Sequence, residues 1–173
     1  SNVVAARLGR ERYTAAYAVQ ADGKLYSWGY NGDGQLGDGT TTQANIPVQR
    51  TGGTLSGKSI SNVYCGHTAA YALDNTGRLH AWGTNTTYGN LGCGNFANQF
   101  TPVQVAIGVA DVYTNSYDYP MVLIRKTDGT LWGAGAGNYS ANGNVAGNHA
   151  ADFAQIAIGN TVTKAAIGGT GSY

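Results

Sequence analysis

Three glycines have the spacing of a dinucleotide-binding loop, since Gly32, Gly34 and Gly37 read Gly-x-Gly-x-x-Gly. Such a loop needs a helix directly after the glycines, because the helix N-terminus holds the pyrophosphate. Asp38-Gly-Thr-Thr-Thr follows instead and consists of poor helix formers. The glycines therefore predict a structural loop rather than a nucleotide site.

The same loop carries oxygen ligands at alternate positions, Asn31-x-Asp33-x-Gln35, as a calcium loop does. It lacks the glycine at the sixth position and the closing glutamate that calcium loops use. We therefore expect no dedicated metal site. Incidental cation binding by Asp33 and Asp38 is the weaker alternative.

The histidines and cysteines offer no catalytic pattern. None of the three histidines has a metal-ligating partner at the usual spacing, and no serine has a nucleophile-elbow context. No enzyme activity and no cofactor are predicted. Cys65 and Cys93 are expected to be half-buried thiols, with a disulfide between them as the alternative.

Charge and hydropathy exclude two classes of partner. The chain has 10 Lys and Arg residues against 9 Asp and Glu residues, scattered along the sequence, so it lacks the basic stripe that binds nucleic acid. No apolar run approaches the roughly 20 residues that cross a bilayer, so no membrane insertion is expected. The partner expected is a protein or a surface glycan.

An internal repeat with a period of about 50 residues sets the fold. The three copies are residues 14–29, 68–83 and 120–135, and their turn glycines are Gly23, Gly77 and Gly129. The first two copies alternate large and small residues, as in Tyr17-Ala-Val and Tyr71-Ala-Leu, and the third is looser. Each copy turns at Asp-Gly or Thr-Gly and runs into a second short strand. Each copy therefore predicts a β-hairpin.

Two further strands flank each hairpin. A candidate opening strand precedes it at 3–8, 60–65 or 109–113, and Ile46-Pro-Val or Thr101-Pro-Val suits an edge strand after it. Four strands per repeat, without helical periodicity, predict propeller blades. The fold expected for residues 1–173 is a single all-β domain, a partial β-propeller. Its predicted parts are blade one at 3–49, blade two at 60–105, blade three at 109–158, and the opening strand of blade four at 160–168.

The order Asp-Gly, Leu-aromatic, Trp-Gly, Gly-Gln-Leu-Gly and Pro-Val resembles the regulator of chromosome condensation repeat, from Val3 to about Ile158. Trp28 and Trp82 occupy the repeat's tryptophan position and are expected to anchor neighbouring sheets, whereas blade three has Ala134 there. The family typically closes a ring of seven blades. Three blades therefore suggest either a longer chain with further blades or a homotrimer that covers the open sheets.

Binding is expected in the loops that follow each Trp-Gly or its equivalent, at 30–42, 84–100 and 137–152, because propeller loops vary on a rigid scaffold. They are rich in Asn, Gly, Thr and Tyr, which suits adaptable polar contacts with a few aromatic anchors. The alternative is that these loops only cap the blades. The predicted binding residues are Tyr30, Asn31, Asp33, Asn85, Tyr88, Asn138 and Tyr139.

Low charge and polar, glycine-rich loops predict a non-catalytic recognition or adhesion module on an extracellular or virion surface, such as a phage tail-fibre tip. The resemblance implies an alternative, an intracellular regulatory scaffold similar to the small-GTPase exchange factors. A secreted enzyme inhibitor is a third hypothesis.

Overall fold

A computed structural model describes residues 2–9, 14–85, 87–115, 119–137, 148–159 and 161–167. The described residues form twelve β-strands and one short 3-10 turn at Gly53–Leu55. The strands are β1 Val3–Leu8, β2 Ala15–Gln20, β3 Leu25–Gly29, β4 Ala44–Gln49, β5 Ile60–Cys65, β6 Ala69–Asp74, β7 Leu79–Gly83, β8 Gln99–Ala106, β9 Val109–Thr114, β10 Met121–Lys126, β11 Leu131–Gly135 and β12 Ala150–Ile156.

The strands form three antiparallel sheets of four, each in sequence order: β1 to β4, β5 to β8 and β9 to β12. The prediction of three four-stranded blades is confirmed. The hairpin at the centre of each blade turns at a glycine, and Gly23, Gly77 and Gly129 have φ angles of 81°, 78° and 82°. These angles are open to glycine at little cost, which explains why the repeat keeps glycine there.

The core lies between neighbouring sheets, because alternate residues of each strand point to opposite faces. Blade one packs on blade two through one apolar cluster, and blade two packs on blade three through another. Each large side chain buried in this way contributes about 1.5–3 kcal/mol. The largest members of the first cluster are Tyr17, Leu25, Leu36, Leu55, Ile60 and Trp82.

Hydrogen bonds join the repeat's tyrosine and tryptophan to the glycine-rich loop. The carbonyl of Gln35 accepts from the Tyr17 hydroxyl at 2.7 Å and from the Trp82 indole N–H at 2.7 Å. A Cβ at Gly37 would come 2.8 Å from the same indole nitrogen, so only glycine fits beneath it. Trp82 therefore anchors blade two on blade one, as expected.

Trp28 behaves differently from Trp82. It is half-buried, on the face of blade one that no described residue of another blade covers. Together with Ala6, Leu8 and Ala16 it lines a hollow of about 300 Å³. The tryptophan position anchors two sheets only where a second sheet packs on it.

Blade three lacks the tryptophan but fills its place from another strand. The ring of Phe153, in β12, lies against Gly92, where an added Cβ would meet it at 2.4 Å. Ala134 is fully buried in the same cluster, with Phe153 packed against that cluster. Phe153 thus supplies at this junction the aromatic ring that Trp82 supplies at the previous one.

The step from one blade to the next is the same at all three junctions. The turn-glycine carbonyls of Gly23, Gly77 and Gly129 accept from Ile60, Val109 and Val162 N–H at 2.9, 2.9 and 3.0 Å. Residues 161–167 therefore lie where the opening strand of a fourth blade is expected. They pack on the apolar face of blade three and pair with no strand of the described chain.

The antiparallel order places the connections at two opposite ends of the blades. We name one of these ends the loop end. It holds the connection from the first to the second strand and the connection from the third to the fourth strand of each blade. At the other, the turn end, lie the central hairpin turns and the connections between blades. None of the described helical residues forms a segment long and apolar enough to cross a membrane.

Candidate functional site

Asn31 and Asn85 organise the loops from within. Both side chains are fully buried, and their oxygens accept from the Leu36 and Leu91 N–H at 2.8 Å. The Asn31 amide donates to the Thr40 and Thr42 carbonyls, and the Asn85 amide donates to the Asn95 carbonyl. These two predicted binding residues therefore fix the shape of the loop and present no side chain to a partner.

Tyr30 and Asp33 lie near the junction of blades one and two. The Tyr30 ring folds back over Gly32, where an added Cβ would lie 2.0 Å from the hydroxyl oxygen. The carbonyl of Asp33 accepts from the Thr84 hydroxyl at 3.3 Å. Tyr30 and Asp33 are both half-buried. The hydrogen bond from Thr84 to Asp33 links blades one and two. Asn138 and Tyr139 lie outside the described residues.

Tyr88 is the predicted residue that the structure brings together with other candidate contact residues. Its ring makes an edge contact with Tyr119, with centroids 6.0 Å apart, and another with His149 at 4.9 Å. Tyr119 is 50% exposed, while Tyr88 and His149 are half-buried. We name these three residues the aromatic cluster. It lies at the loop end, where blades two and three meet.

The geometry of the aromatic cluster is fixed on both sides. His149 Nδ1 accepts from the Gly137 N–H at 3.0 Å, so the neutral ring carries its proton on Nε2 and can donate outward. Before Tyr88, Thr87 has a φ of 79°, the only positive φ of a non-glycine residue in the described chain. A β-branched residue in that conformation costs about 1–3 kcal/mol, and such strain concentrates at functional sites.

Tyr119 and His149 are missing from the predicted set, although a signal for them exists. Tyr119 lies in the connection before β10, and His149 lies in the connection before β12. Antiparallel order places both connections at the same end of the blades as Tyr88. Searching the first-to-second and third-to-fourth connections together for aromatic residues would have found both.

A second polar group, at His80, is sealed from solvent. His80 Nδ1 lies 2.7 Å from the Thr54 hydroxyl, and Nε2 lies 3.5 Å from the Asp74 carboxylate. Both the His80 and Asp74 side chains are fully buried. A substrate could not reach this imidazole, so its role is structural.

Burial and hydrogen bonding set the charges of this pair in opposite ways. Burial raises the pKa of Asp74, but hydrogen bonds from the Thr76 side chain and from the backbone N–H of Arg78 outweigh it and hold the pKa at about 2. Burial lowers the pKa of His80, and its contact with Asp74 offsets this only in part. At neutral pH the pair is an ionised aspartate beside a neutral histidine.

The thiols and carboxylates of the described residues form no metal centre, since no three His, Cys, Asp or Glu side chains converge there. Cys65 and Cys93 are both free thiols, as the sequence favoured. Burial raises the pKa of Cys65 to about 12, so this thiol stays protonated and unreactive.

The repeat, the blade geometry and the coupling through Trp82 define a propeller of the regulator of chromosome condensation type. The sequence model of the regulator of chromosome condensation (RCC1) repeat matches residues 22–73 and 76–112, and the chain belongs to this family.

Similar proteins cover most of the chain but only part of their own length. The human E3 ubiquitin-protein ligase HERC2 is 33% identical over 132 residues, 73% of this chain and 3% of HERC2. Human protein RCC2 is 32% identical over 126 residues, 72% of this chain and 24% of RCC2. The chain thus spans a quarter or less of these two relatives.

Solved structures share the fold at lower identity. Yeast RCC1 (Prp20) bound to Kap60 has a TM-score of 0.72 at 16% identity, covering 88% of this chain and 37% of that one. Prp20p from Saccharomyces cerevisiae, which was characterised for binding to Gsp1p and histones, has a TM-score of 0.71 at 16% identity, covering 88% and 38%.

The predicted extracellular or virion location is wrong. The curated relatives that the chain matches, human HERC2 and human RCC2, are intracellular members of this family. Low charge and Gly- and Asn-rich loops misled the prediction, because they also suit a loop that is satisfied internally, as Asn31 and Asn85 show.

Proposed function

We propose that this chain is a protein-binding segment of an intracellular regulatory scaffold and that it contacts its partner through the aromatic cluster. The observation that carries the proposal is the convergence of Tyr88, Tyr119 and His149 next to the strained Thr87. Three separate connections contribute to one surface, although the strands and the core do not require these rings to meet.

The chemistry of the cluster suits a protein partner. Tyrosine offers a large, rigid contact area with a polar end and loses little conformational entropy on binding, and for this reason it is enriched at interaction hot spots. Edge contacts between the rings hold them in place before the partner arrives, which lowers the entropic cost of binding. The histidine Nε2–H adds one directional donor.

Family membership supports a binding role rather than catalysis. Prp20p was characterised for binding to Gsp1p and histones, so these proteins are suitable first probes. The net charge of +1 gives no general attraction to the basic histones, and a contact through the aromatic cluster would therefore depend little on salt.

Binding of purified Gsp1p and of core histones to the chain, measured by biolayer interferometry, tests the proposal. The double variant Tyr88→Ala, Tyr119→Ala should weaken binding at least about tenfold, since paired hot-spot aromatics contribute roughly 2 kcal/mol or more. The matched control is Phe96→Ala, which removes an exposed aromatic ring from the same loop of blade two. Unchanged affinity in the double variant, or no binding of either probe to the wild type, contradicts the proposal.

A further inference from the structure

The connection between blades one and two is longer than the fold requires. β4 ends at Gln49 and β5 begins at Ile60, whereas only Ile107 and Gly108 separate β8 from β9. Both connections end in the same hydrogen bond from the first residue of the new blade to the preceding turn glycine. Two residues are enough for this step, so most of the segment 50–59 is available for another role.

This segment is ordered by contacts to both blades. Its 3-10 turn buries Leu55, which is 3% exposed in the core between blades one and two. The Thr54 hydroxyl reaches the buried imidazole of His80, and the Lys58 N–H donates to the Leu55 carbonyl at 3.0 Å. The segment is therefore pre-organised, and Lys58 follows directly from its fixed part.

Between this segment and the hairpin turn of blade one lies a groove of about 270 Å³ at the turn end. Three of the ten Lys and Arg residues line it, although the chain as a whole carries a net charge of only +1. Its charged and polar lining residues are Asp22, Lys24, Gln49, Arg50, Thr51, Lys58 and Ser59.

The three cations differ in how firmly they are held. The Arg50 side chain is only 7% exposed, and Ser27 and Asp38 accept from its guanidinium. Lys24 pairs with Asp22 at 2.6 Å. No ion pair to Lys58 is found among the described residues. Asp38 therefore neutralises the buried Arg50 and Asp22 pairs with Lys24, whereas the ammonium of Lys58 is available to an incoming anion.

We propose that this groove binds the carboxylate side chains of an acidic protein segment, a site separate from the aromatic cluster and at the opposite end of the blades. The groove has room for one or two side chains, and the adjacent Lys24 and Lys58 suit carboxylates presented along a peptide. The site stands independently of the partner proposed above, because it shares no residue with the aromatic cluster.

Binding of a fluorescein-labelled hexaglutamate peptide to the full chain, followed by anisotropy at about 10 mM salt where screening is weak, tests the proposal. The double variant Lys24→Gln, Lys58→Gln should weaken binding roughly three- to tenfold, the effect of losing two partly exposed ion pairs. The matched control Lys126→Gln, Lys164→Gln removes the same charge from blade three and its adjoining segment and should bind as the wild type does. Equal losses in the two variants would show non-specific attraction and overturn the proposal.

His80 provides a second readout inside the protein. The positive charge of Lys58 contributes to holding the pKa of His80 low. Carboxylates bound beside Lys58 should therefore raise the pKa of His80, as followed through its ring protons by NMR, in the wild type and not in Lys58→Gln. An unchanged His80 pKa at saturating peptide contradicts binding in this groove. Inorganic phosphate should displace the peptide poorly. If phosphate displaces the peptide at equal concentration, the groove binds small anions in general and the proposed peptide site is wrong.

Discussion

At the scale of single residues, the structure separates side chains that hold the fold from those that can meet a partner. Asn31 and Asn85 have the composition of binding residues, yet every bond they make is internal. Tyr88 differs from them, because its ring contacts other half-buried or exposed rings. Amino-acid type alone predicted a binding role for all three residues, and only burial in the folded chain separates Tyr88 from the two asparagines.

The buried imidazole of His80 predicts a pH dependence of stability. Its pKa in the folded chain is lower than in the unfolded chain, so the unfolded chain binds the proton at the higher pH. The stability that depends on neutral His80 is therefore present above about pH 6.5 and is lost as the pH falls below it. The charged and polar groups that face the ring are Asp74, Lys58, Arg78 and Thr54.

Urea unfolding between pH 7.5 and 5 measures this effect. The free energy of unfolding should fall with decreasing pH in the wild type, and the slope should be smaller in His80→Gln whatever the variant's absolute stability. The window lies above the pKa values of the lowered carboxylates, Asp74 at about 2 included, so they do not contribute. Identical slopes in both proteins would refute the assignment.

At the scale of strands and blades, one tryptophan position shows how the sheets hold together. Trp82 is fully buried and donates to the Gln35 carbonyl, while Trp28 is half-buried with no side-chain hydrogen bond among the described residues. The two residues share a repeat position and differ only in whether a sheet packs on them. They are therefore a natural matched pair.

Trp82→Phe should lower the free energy of unfolding by about 1–3 kcal/mol, since it removes a buried hydrogen bond and leaves a small cavity. Trp28→Phe should cost less than about 1 kcal/mol, because its ring is partly solvated and forms no such bond. Equilibrium urea denaturation of both variants makes the comparison. Equal costs would mean that Trp82 does not couple the two blades.

The blades themselves were predictable because their signals are local. Alternating residues and turn glycines identified the central hairpins around Gly23, Gly77 and Gly129, and the opening strands followed by analogy. The replacement of the third tryptophan by Phe153 was not predictable. Phe153 belongs to a different strand from Ala134, and only the folded structure shows that both join the cluster between blades two and three.

At the scale of the whole molecule, antiparallel order gives the chain two unlike ends. The loop end carries the aromatic cluster, assembled from connections far apart in sequence. The turn end carries the groove of Lys24 and Lys58 and the long connection between blades one and two. The sequence indicated that loops would bind the partner. Which loops lie at the same end of the blades depends on the order of strands in the sheet, and composition alone does not give that order.

The central claim, that a protein partner contacts the loop end where blades two and three meet, is tested most directly by hydrogen–deuterium exchange. Exchange is measured by mass spectrometry on the chain alone and in complex with whichever of Gsp1p or core histones binds. The account predicts slower exchange in peptides that cover 87–92, 119–121 and 148–150, with little change at 21–24. Protection confined to the turn end, with residues 87–92 exchanging as in the free chain, would contradict it.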